Sequence, residues 1–119
     1  MDITLTTGDL ALRGTLHDTP SALDLASLLP MDLSLGDFGE TEKVSALPRR
    51  LDTDGEPDAS TPDVGDIAYY APWGNLAIFI RPAPRAQGLI RLGHLNRAEE
   101  LIGLTAGTTA RLHQAATTS

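Results

Sequence analysis

Few residues in this sequence have the type and spacing that catalysis, metal binding or cofactor binding requires. The three histidines, His17, His94 and His113, are far apart and form neither an HxH nor an HExxH motif. Zinc binding would require them to converge with a carboxylate in the fold. The glycines likewise lack the spacing of a nucleotide-binding loop. We therefore expect no metal site and no cofactor, and we expect the histidines at solvent-facing strand ends.

The acidic segment from Asp52 to Asp58 has the composition of a calcium-binding loop but not its spacing. An EF-hand loop requires glycine at its sixth position and glutamate at its twelfth. Pro57 and Asp63 occupy these positions when the loop is counted from Asp52. We interpret the segment as part of a solvated loop. The chain has no cysteine, and no serine lies in a nucleophile elbow, so no nucleophile for covalent catalysis is visible.

Glu42 and Lys43 form an adjacent pair of opposite charge. Successive residues of an extended chain point to opposite sides, so the two side chains are expected on opposite faces. A structural role for Glu42, accepting hydrogen bonds from backbone donors at a loop, is the favoured interpretation. Catalysis by Glu42 is the alternative.

Aromatic side chains are the best candidates for contacting a ligand. Four of the five lie between Gly65 and Ile80, and they are Tyr69, Tyr70, Trp73 and Phe79. For Phe79 and one tyrosine, packing in the core is the favoured interpretation. Trp73 differs, because a hairpin tip is normally exposed. We expect Trp73 either to fold over the mouth of a pocket or to contact another chain.

A β-hairpin is predicted to position these aromatic residues. Pro72 suits the first central position of a type I turn, and Gly74 suits the left-handed position that follows. The resulting three-residue loop places Tyr70 opposite Leu76.

The same register places Tyr69 opposite Ala77 and Ile67 opposite Phe79. Both faces of the hairpin are then apolar, whereas a sheet with one wet face alternates apolar and polar residues. We therefore expect the hairpin to be covered on both sides.

Period-two alternation predicts the other strands, over residues 3–6, 10–16, 31–35, 89–95 and 108–114. In the strand over 89–95, alternation places Arg91 and Leu95 on one face. A helix is predicted from Pro20 to Leu28 or Leu29, with Thr19 as its cap. Asn96 is expected to cap a second, short helix.

The length of 119 residues predicts one domain over residues 1–119, with a long polar loop over 49–64 and a frayed tail over 115–119. The formal net charge of −7 opposes nucleic-acid binding. The N-terminus does not resemble a signal peptide, and no apolar run reaches the length of a membrane span. We expect a cytoplasmic protein that binds neither nucleic acid nor membranes.

Several segments together resemble the bacterial cyclophilin-like domain family, whose members are mostly of unknown function. They are Leu29-Pro30-Met31, Glu42-Lys43, Leu47-Pro48, the hairpin GDIAYYAPWGNLAIFI and Leu89-Ile90-Arg91-Leu92-Gly93. The resemblance implies a mainly β fold, a small closed barrel of about eight strands with one or two short capping helices. It does not imply prolyl isomerase activity, because the Phe-His-Arg motif of true cyclophilins is absent. By position alone, Arg13 and Arg91 are the strand arginines that could replace the arginine of that motif.

Three hypotheses about function follow. The first is a barrel that binds a peptide or a small apolar molecule at an aromatic-lined rim formed by Tyr69, Tyr70, Trp73 and Phe79. The second is a cofactor-independent enzyme that acts by non-covalent shape catalysis, either as a prolyl isomerase or as a cyclase or isomerase of a flexible biosynthetic intermediate. The third is a purely structural subunit that uses Trp73 and the outer face of the hairpin to form a homodimer.

Overall fold

A computed structural model describes residues 1–115 of the chain, and within them the protein is mainly β. The strands are β1 (Asp2–Thr7), β2 (Leu10–Leu16), β3 (Met31–Phe38), β4 (Glu42–Ala46), β5 (Ala59–Ser60), β6 (Asp66–Tyr70), β7 (Asn75–Phe79), β8 (Ala86–Gln87), β9 (Leu89–Leu95) and β10 (Thr108–Gln114). One α-helix, α1 (Pro20–Ala26), follows β2, and a short 3-10 helix (Ala98–Leu101) follows β9.

Eight of these strands close into an antiparallel barrel in the order β1-β10-β3-β4-β7-β6-β9-β2. The closed barrel confirms the predicted fold class. The two remaining strands, β5 and β8, pair with each other as a separate two-stranded sheet. No helix in the described part of the chain is long and apolar enough to cross a membrane.

Alternate residues of the strands fill the barrel interior. Met31, Leu33 and Leu35 of β3 are buried, as are Ala110 and Leu112 of β10, and the alternating pattern predicted these positions. Helix α1 contributes Ala22 and Leu25 to the same core.

Two glycines allow the adjacent strands β2 and β9 to pack closely against each other. A β-carbon on Gly14 would lie 2.4 Å from the carbonyl oxygen of His94, and one on Gly93 would lie 2.1 Å from that of Thr15. Both contacts are far shorter than van der Waals separation and involve backbone atoms. Any side chain at either position would therefore push the two strands apart.

A β-bulge in β9 changes the faces that simple alternation assigned. Ile67 of β6 pairs with Gly93, while the next residue, Ala68, pairs with Arg91, so that Leu92 has no partner on β6. Leu92 and Leu95 both join the core, and Arg91 is exposed. The prediction that Arg91 and Leu95 share a face was wrong, because the extra residue shifts the alternation by one.

The predicted helix caps differ from the observed ones. Thr19 occupies the cap position of α1, but its side chain makes no capping hydrogen bond. Glu56 instead accepts hydrogen bonds from the backbone N–H and the hydroxyl of Ser21, at 3.0 and 2.8 Å. The helix ends at Ala26, two to three residues before the predicted end. The short 3-10 helix begins after Arg97, whose backbone is left-handed, and no side chain caps it, so the prediction of an Asn96 cap was wrong.

The first residues of the polar segment over 49–64 are held beside α1. Arg49 donates two hydrogen bonds to the carboxylate of Asp24, at 2.7 and 2.8 Å, and the Asp52 backbone N–H donates a third at 2.8 Å. Leu51 is buried in the core. Of the predicted tail over 115–119, Ala115 is buried and donates its backbone N–H to Asp2, and residues 116–119 lie outside the described range.

Candidate functional site

The hairpin of β6 and β7 has a register one residue away from the predicted one. Tyr70 pairs with Asn75 and Tyr69 pairs with Leu76, which makes the connection a four-residue loop. The backbone N–H groups of Trp73 and Gly74 both donate to the carbonyl of Tyr70, at 3.3 and 2.9 Å. The predicted three-residue loop was wrong because Ala71 does not pair across the hairpin.

Ala71 instead donates its backbone N–H to the carbonyl of Gly88, at 2.9 Å. This bond ties the hairpin tip to the segment that leads into β9.

The corrected register sorts the aromatic residues between the two faces of the barrel wall. Tyr69 points into the core, where it is 1% exposed and its hydroxyl accepts a hydrogen bond from the Leu51 backbone N–H at 3.2 Å. Tyr70 and Phe79 lie on the outer face. Both faces are apolar and covered, as the composition of the hairpin predicted.

A cavity of about 310 Å³ lies on this outer face and is named here the outer groove. Its lining residues are Phe38, Thr41, Glu42, Val44, Pro62, Tyr70, Trp73, Asn75, Phe79, Ala83, Pro84, Arg85, Ala86 and Leu89. Four of the five aromatic residues of the chain are among them. A concave, mainly apolar surface with a few polar groups is typical of small-molecule sites.

The floor of the outer groove is a second apolar cluster, separate from the barrel core. Ala68, Ala77, Phe79 and Leu89 are its buried members, and Val44 packs against them. Small side chains at Ala68 and Ala77 leave room on the outer face of the sheet. The segment between β7 and β9 covers one side of this cluster, with Ala83 and Ala86 in contact.

Three aromatic rings lie at the rim of the groove. Trp73 meets the ring of Phe38 at a centroid distance of 5.4 Å and an interplanar angle of 73°, and the ring of Tyr70 at 5.3 Å and 89°. Both contacts have the edge-to-face geometry that aromatic pairs prefer. Trp73 is 58% exposed and Phe38 is 47% exposed, so the rim offers a large apolar surface to solvent.

Phe38 is a groove residue that the sequence patterns did not indicate. The predicted strand ended at residue 35, whereas β3 continues to Phe38 and pairs with β4. Phe38 is an even-numbered residue on a strand whose odd-numbered residues point inward. Extending that alternation by three residues would have placed it on the outer face.

Glu42 lies between a rim residue and a floor residue on the outer face. It pairs with Phe38 of β3 on one side and with Phe79 of β7 on the other. Directly paired residues in antiparallel strands have β-carbons about 4.5–5.5 Å apart, so the carboxylate is flanked by apolar side chains. Burial raises the pKa of Glu42 above its usual value, and the hydrogen bond from Thr41 partly opposes this shift.

Within the described residues, the Thr41 hydroxyl, at 3.5 Å, is the hydrogen-bond donor found for the Glu42 carboxylate. The predicted role of Glu42 in capping backbone donors was wrong, because its side chain faces the groove. Lys43 points to the opposite side, as the sequence predicted. Its buried ammonium pairs with Asp37 and donates to the Leu104 carbonyl at 3.1 Å.

The two strand arginines considered from the sequence lie outside the outer groove. Arg13 is an exposed residue of β2. Arg91 donates a hydrogen bond to the buried Asp66 at 3.2 Å. Arg85, on the segment between β7 and β9, is the basic residue that lines the groove.

A second cavity, of about 250 Å³, lies near the start of β9 and is lined in part by His17, Thr19, Glu56 and Arg91. The Thr19 hydroxyl is buried there without a hydrogen-bond partner in the described structure. His17 and His94 are exposed, and His113 is half-buried. Among residues 1–115, no group of three or more His, Cys, Asp or Glu side chains is arranged to hold a metal ion.

Comparison with known proteins shows similarity at the level of family and at the level of fold. A family model described as the cyclophilin-like family matches residues 5–113. Among solved structures, the solution structure of a hypothetical protein from Archaeoglobus fulgidus is similar, with a TM-score of 0.68 and 17% sequence identity. The similarity covers 97% of this chain and 95% of that chain. No curated protein matches the sequence.

Proposed function

Because this chain belongs to the cyclophilin-like family and carries an aromatic-lined cavity on its barrel, we propose that it binds a small apolar molecule or a peptide in the outer groove. The single observation that carries this proposal is the position of the aromatic residues. The chain has five, and the four that lie outside the barrel core all line this one cavity. Phe79 is buried in the floor cluster, but packing of the barrel core does not account for the three rings at the rim.

The exposure of the rim supports the same proposal. Exposing Trp73 and Phe38 to water is unfavourable, and a soluble domain normally avoids a contiguous apolar patch unless the patch has a partner. Edge-to-face contacts hold Trp73 between two other rings, so little side-chain entropy is lost when a ligand binds. Tryptophan and tyrosine are also the residues that most often anchor binding.

The apolar fluorescent dye N-phenylnaphthylamine tests this proposal directly. We expect its emission to rise and saturate with the native protein, and we expect Trp73→Ala to weaken binding by about ten-fold or more. Ile102→Ala is the matched control, because Ile102 is another large exposed side chain, at 43%, and does not line the groove. Equal loss of affinity in the two variants, or no saturable binding, would contradict the proposal.

A second candidate function is non-covalent catalysis on a flexible substrate held in the groove. Glu42 supports it, because a half-buried carboxyl with one weak donor can hydrogen-bond to a bound substrate. Neither Arg13 nor Arg91 lines the groove, so a proline-peptide assay is expected to show little acceleration over the uncatalysed rate. Marked acceleration that is lost in Glu42→Gln would favour this candidate over simple binding.

A further inference from the structure

We propose that the outer groove selects ligands that carry an organic ammonium ion on an apolar body, with the cation held between the Glu42 carboxylate and the aromatic rim. The inference rests on the proposed binding function and adds the chemical class of the ligand. It follows from what surrounds Glu42, and not from the volume of the groove.

The carboxylate of Glu42 lacks the partners that a half-buried charge normally has. None of the six ion pairs in the described residues involves Glu42. The Thr41 hydroxyl, at 3.5 Å, is at the long limit for a hydrogen bond. Burial of a carboxylate is unfavourable unless it is paired and hydrogen-bonded. A ligand cation would supply the missing partner.

The aromatic residues next to Glu42 are suited to the same cation. Faces of aromatic rings attract cations, most strongly in tryptophan, when the charge lies within about 6 Å of the ring centroid. Phe38 is the cross-strand neighbour of Glu42 and is itself in contact with Trp73, which contacts Tyr70. Successive rings meet at steep angles, so a group at the rim meets both faces and edges. A carboxylate and several aromatic rings that line the same groove are the groups that recognise substituted ammonium ions.

Charge on the rest of the protein favours a cation as well. The formal net charge is −7, so the field around the protein attracts positive ligands. Arg85 is the opposing feature, since its guanidinium lines the groove. It forms no ion pair with Glu42 and is exposed. We therefore assign head-group selection to Glu42 and not to Arg85.

Three probes with one phenylpropyl body and different head groups test the inference. They are phenylpropylamine, phenylpropanol and phenylpropionate, titrated into the protein at low ionic strength and followed by nuclear magnetic resonance. We expect the amine to bind about ten-fold more tightly than the alcohol, and the carboxylate to bind more weakly than the alcohol. Equal affinity for amine and alcohol would overturn the inference. Tighter binding of the carboxylate would also overturn it and assign selection to Arg85.

Substitution of the carboxylate locates the preference. Glu42→Gln should abolish the preference for the amine, measured as the ratio of its affinity to that of phenylpropanol for the same variant. Glu40→Gln is the control, because it removes the same charge from an exposed residue that does not line the groove, and it should keep the preference. Glu42→Asp retains the charge and should retain part of the preference. A preference that survives in Glu42→Gln would contradict the inference.

The probes also distinguish this inference from the proposed function. Binding of phenylpropanol in the groove with no preference for the amine would leave the proposed function standing and overturn the ammonium selectivity. Failure of all three probes to shift the resonances of groove residues would overturn both.

Discussion

Tyr69 and Tyr70 are neighbours in the sequence, but their side chains lie on opposite sides of the barrel wall. Tyr69 fills the core and accepts a hydrogen bond from the Leu51 backbone N–H, whereas Tyr70 packs against Trp73 at the rim of the outer groove. We therefore expect the stability of the protein to depend on Tyr69, and ligand binding to depend on Tyr70.

Removal of the two tyrosine hydroxyls should have different effects on stability. Tyr69→Phe leaves the buried N–H of Leu51 without its acceptor, so we expect the free energy of unfolding to fall by about 1–3 kcal/mol. Tyr70→Phe is the matched control and should leave stability within about 0.5 kcal/mol of the wild type, because no hydrogen bond of its hydroxyl is found in the described structure. Urea denaturation measures both. Equal losses would contradict the register of the hairpin.

Alanine substitutions at strand glycines test how closely β2 and β9 must pack. Gly14→Ala and Gly93→Ala place a methyl group against backbone carbonyl oxygens of the adjacent strand, at 2.4 and 2.1 Å. We expect each to lower the free energy of unfolding by about 3 kcal/mol or more, since the strands must separate.

Gly36→Ala provides the control for this comparison. Gly36 is also a strand glycine, but the nearest atom to an added β-carbon is the Val44 carbonyl oxygen at 3.8 Å, which is ordinary contact. The free energy of unfolding of the Gly36→Ala variant should therefore change little. Similar losses of unfolding free energy at all three positions would contradict this prediction, because they would not depend on the close approach of β2 and β9.

Much of the fold could be predicted from the sequence, because local patterns specified most strands. Strands β2, β9 and β10 begin and end at the predicted residues, and the apolar composition of both hairpin faces correctly indicated a covered sheet. The family resemblance, seen in short segments such as the hairpin, was confirmed by the match over residues 5–113.

The errors arose where partners distant in sequence decide the local structure. The hairpin register depends on the hydrogen bond from Ala71 to Gly88, which replaces a pairing across the loop. The residues of the turn alone do not predict that bond. The bulge near Leu92 and the capping of α1 by Glu56 are contacts of the same kind. One tyrosine was expected in the core, and the structure identifies it as Tyr69. Phe38 was missed because the predicted strand ended at residue 35, three residues before the end of β3.

The stability of the protein at acidic pH should depend on the hydrogen bonds that join Asp24 of α1 to the polar segment over 49–64. Hydrogen bonds from Arg49 and from the Asp52 backbone lower the pKa of Asp24 from 3.8 to about 2. A carboxylate whose pKa is lowered by folding stabilises the protein above its unfolded pKa, and this contribution is lost as the pH falls through the folded pKa. We expect stability to decrease between about pH 4 and pH 2.

Asp24→Asn should remove most of that dependence and lower stability at neutral pH by about 1 kcal/mol. Asp9→Asn is the control, because Asp9 lies in the exposed turn between β1 and β2. Melting temperatures measured by circular dichroism across this pH range would decide the question. An unchanged pH profile in Asp24→Asn would mean that the pair contributes nothing to stability.

Substitution of Trp73 should affect stability far less than a core aromatic residue does. The side chain is 58% exposed, so Trp73→Ala should cost about 1 kcal/mol or less, compared with about 3–5 kcal/mol for emptying a buried aromatic site. Trp73 is the single tryptophan, so the tryptophan emission of the protein reports on this residue alone. Because the ring is exposed, that emission should be red-shifted in dilute protein. A blue shift that appears only on raising protein concentration would instead support the homodimer.

Chemical-shift mapping with phenylpropanol tests the central claim most directly, because it asks where a neutral apolar ligand binds without depending on any variant. We expect saturable shifts at the rim residues Phe38, Tyr70 and Trp73 and at the floor residue Phe79, with the core residue Tyr69 shifting far less. Shifts confined to the second cavity near His17 and Arg91, or no saturable shifts at any concentration reached, would contradict the claim that the outer groove is the binding site.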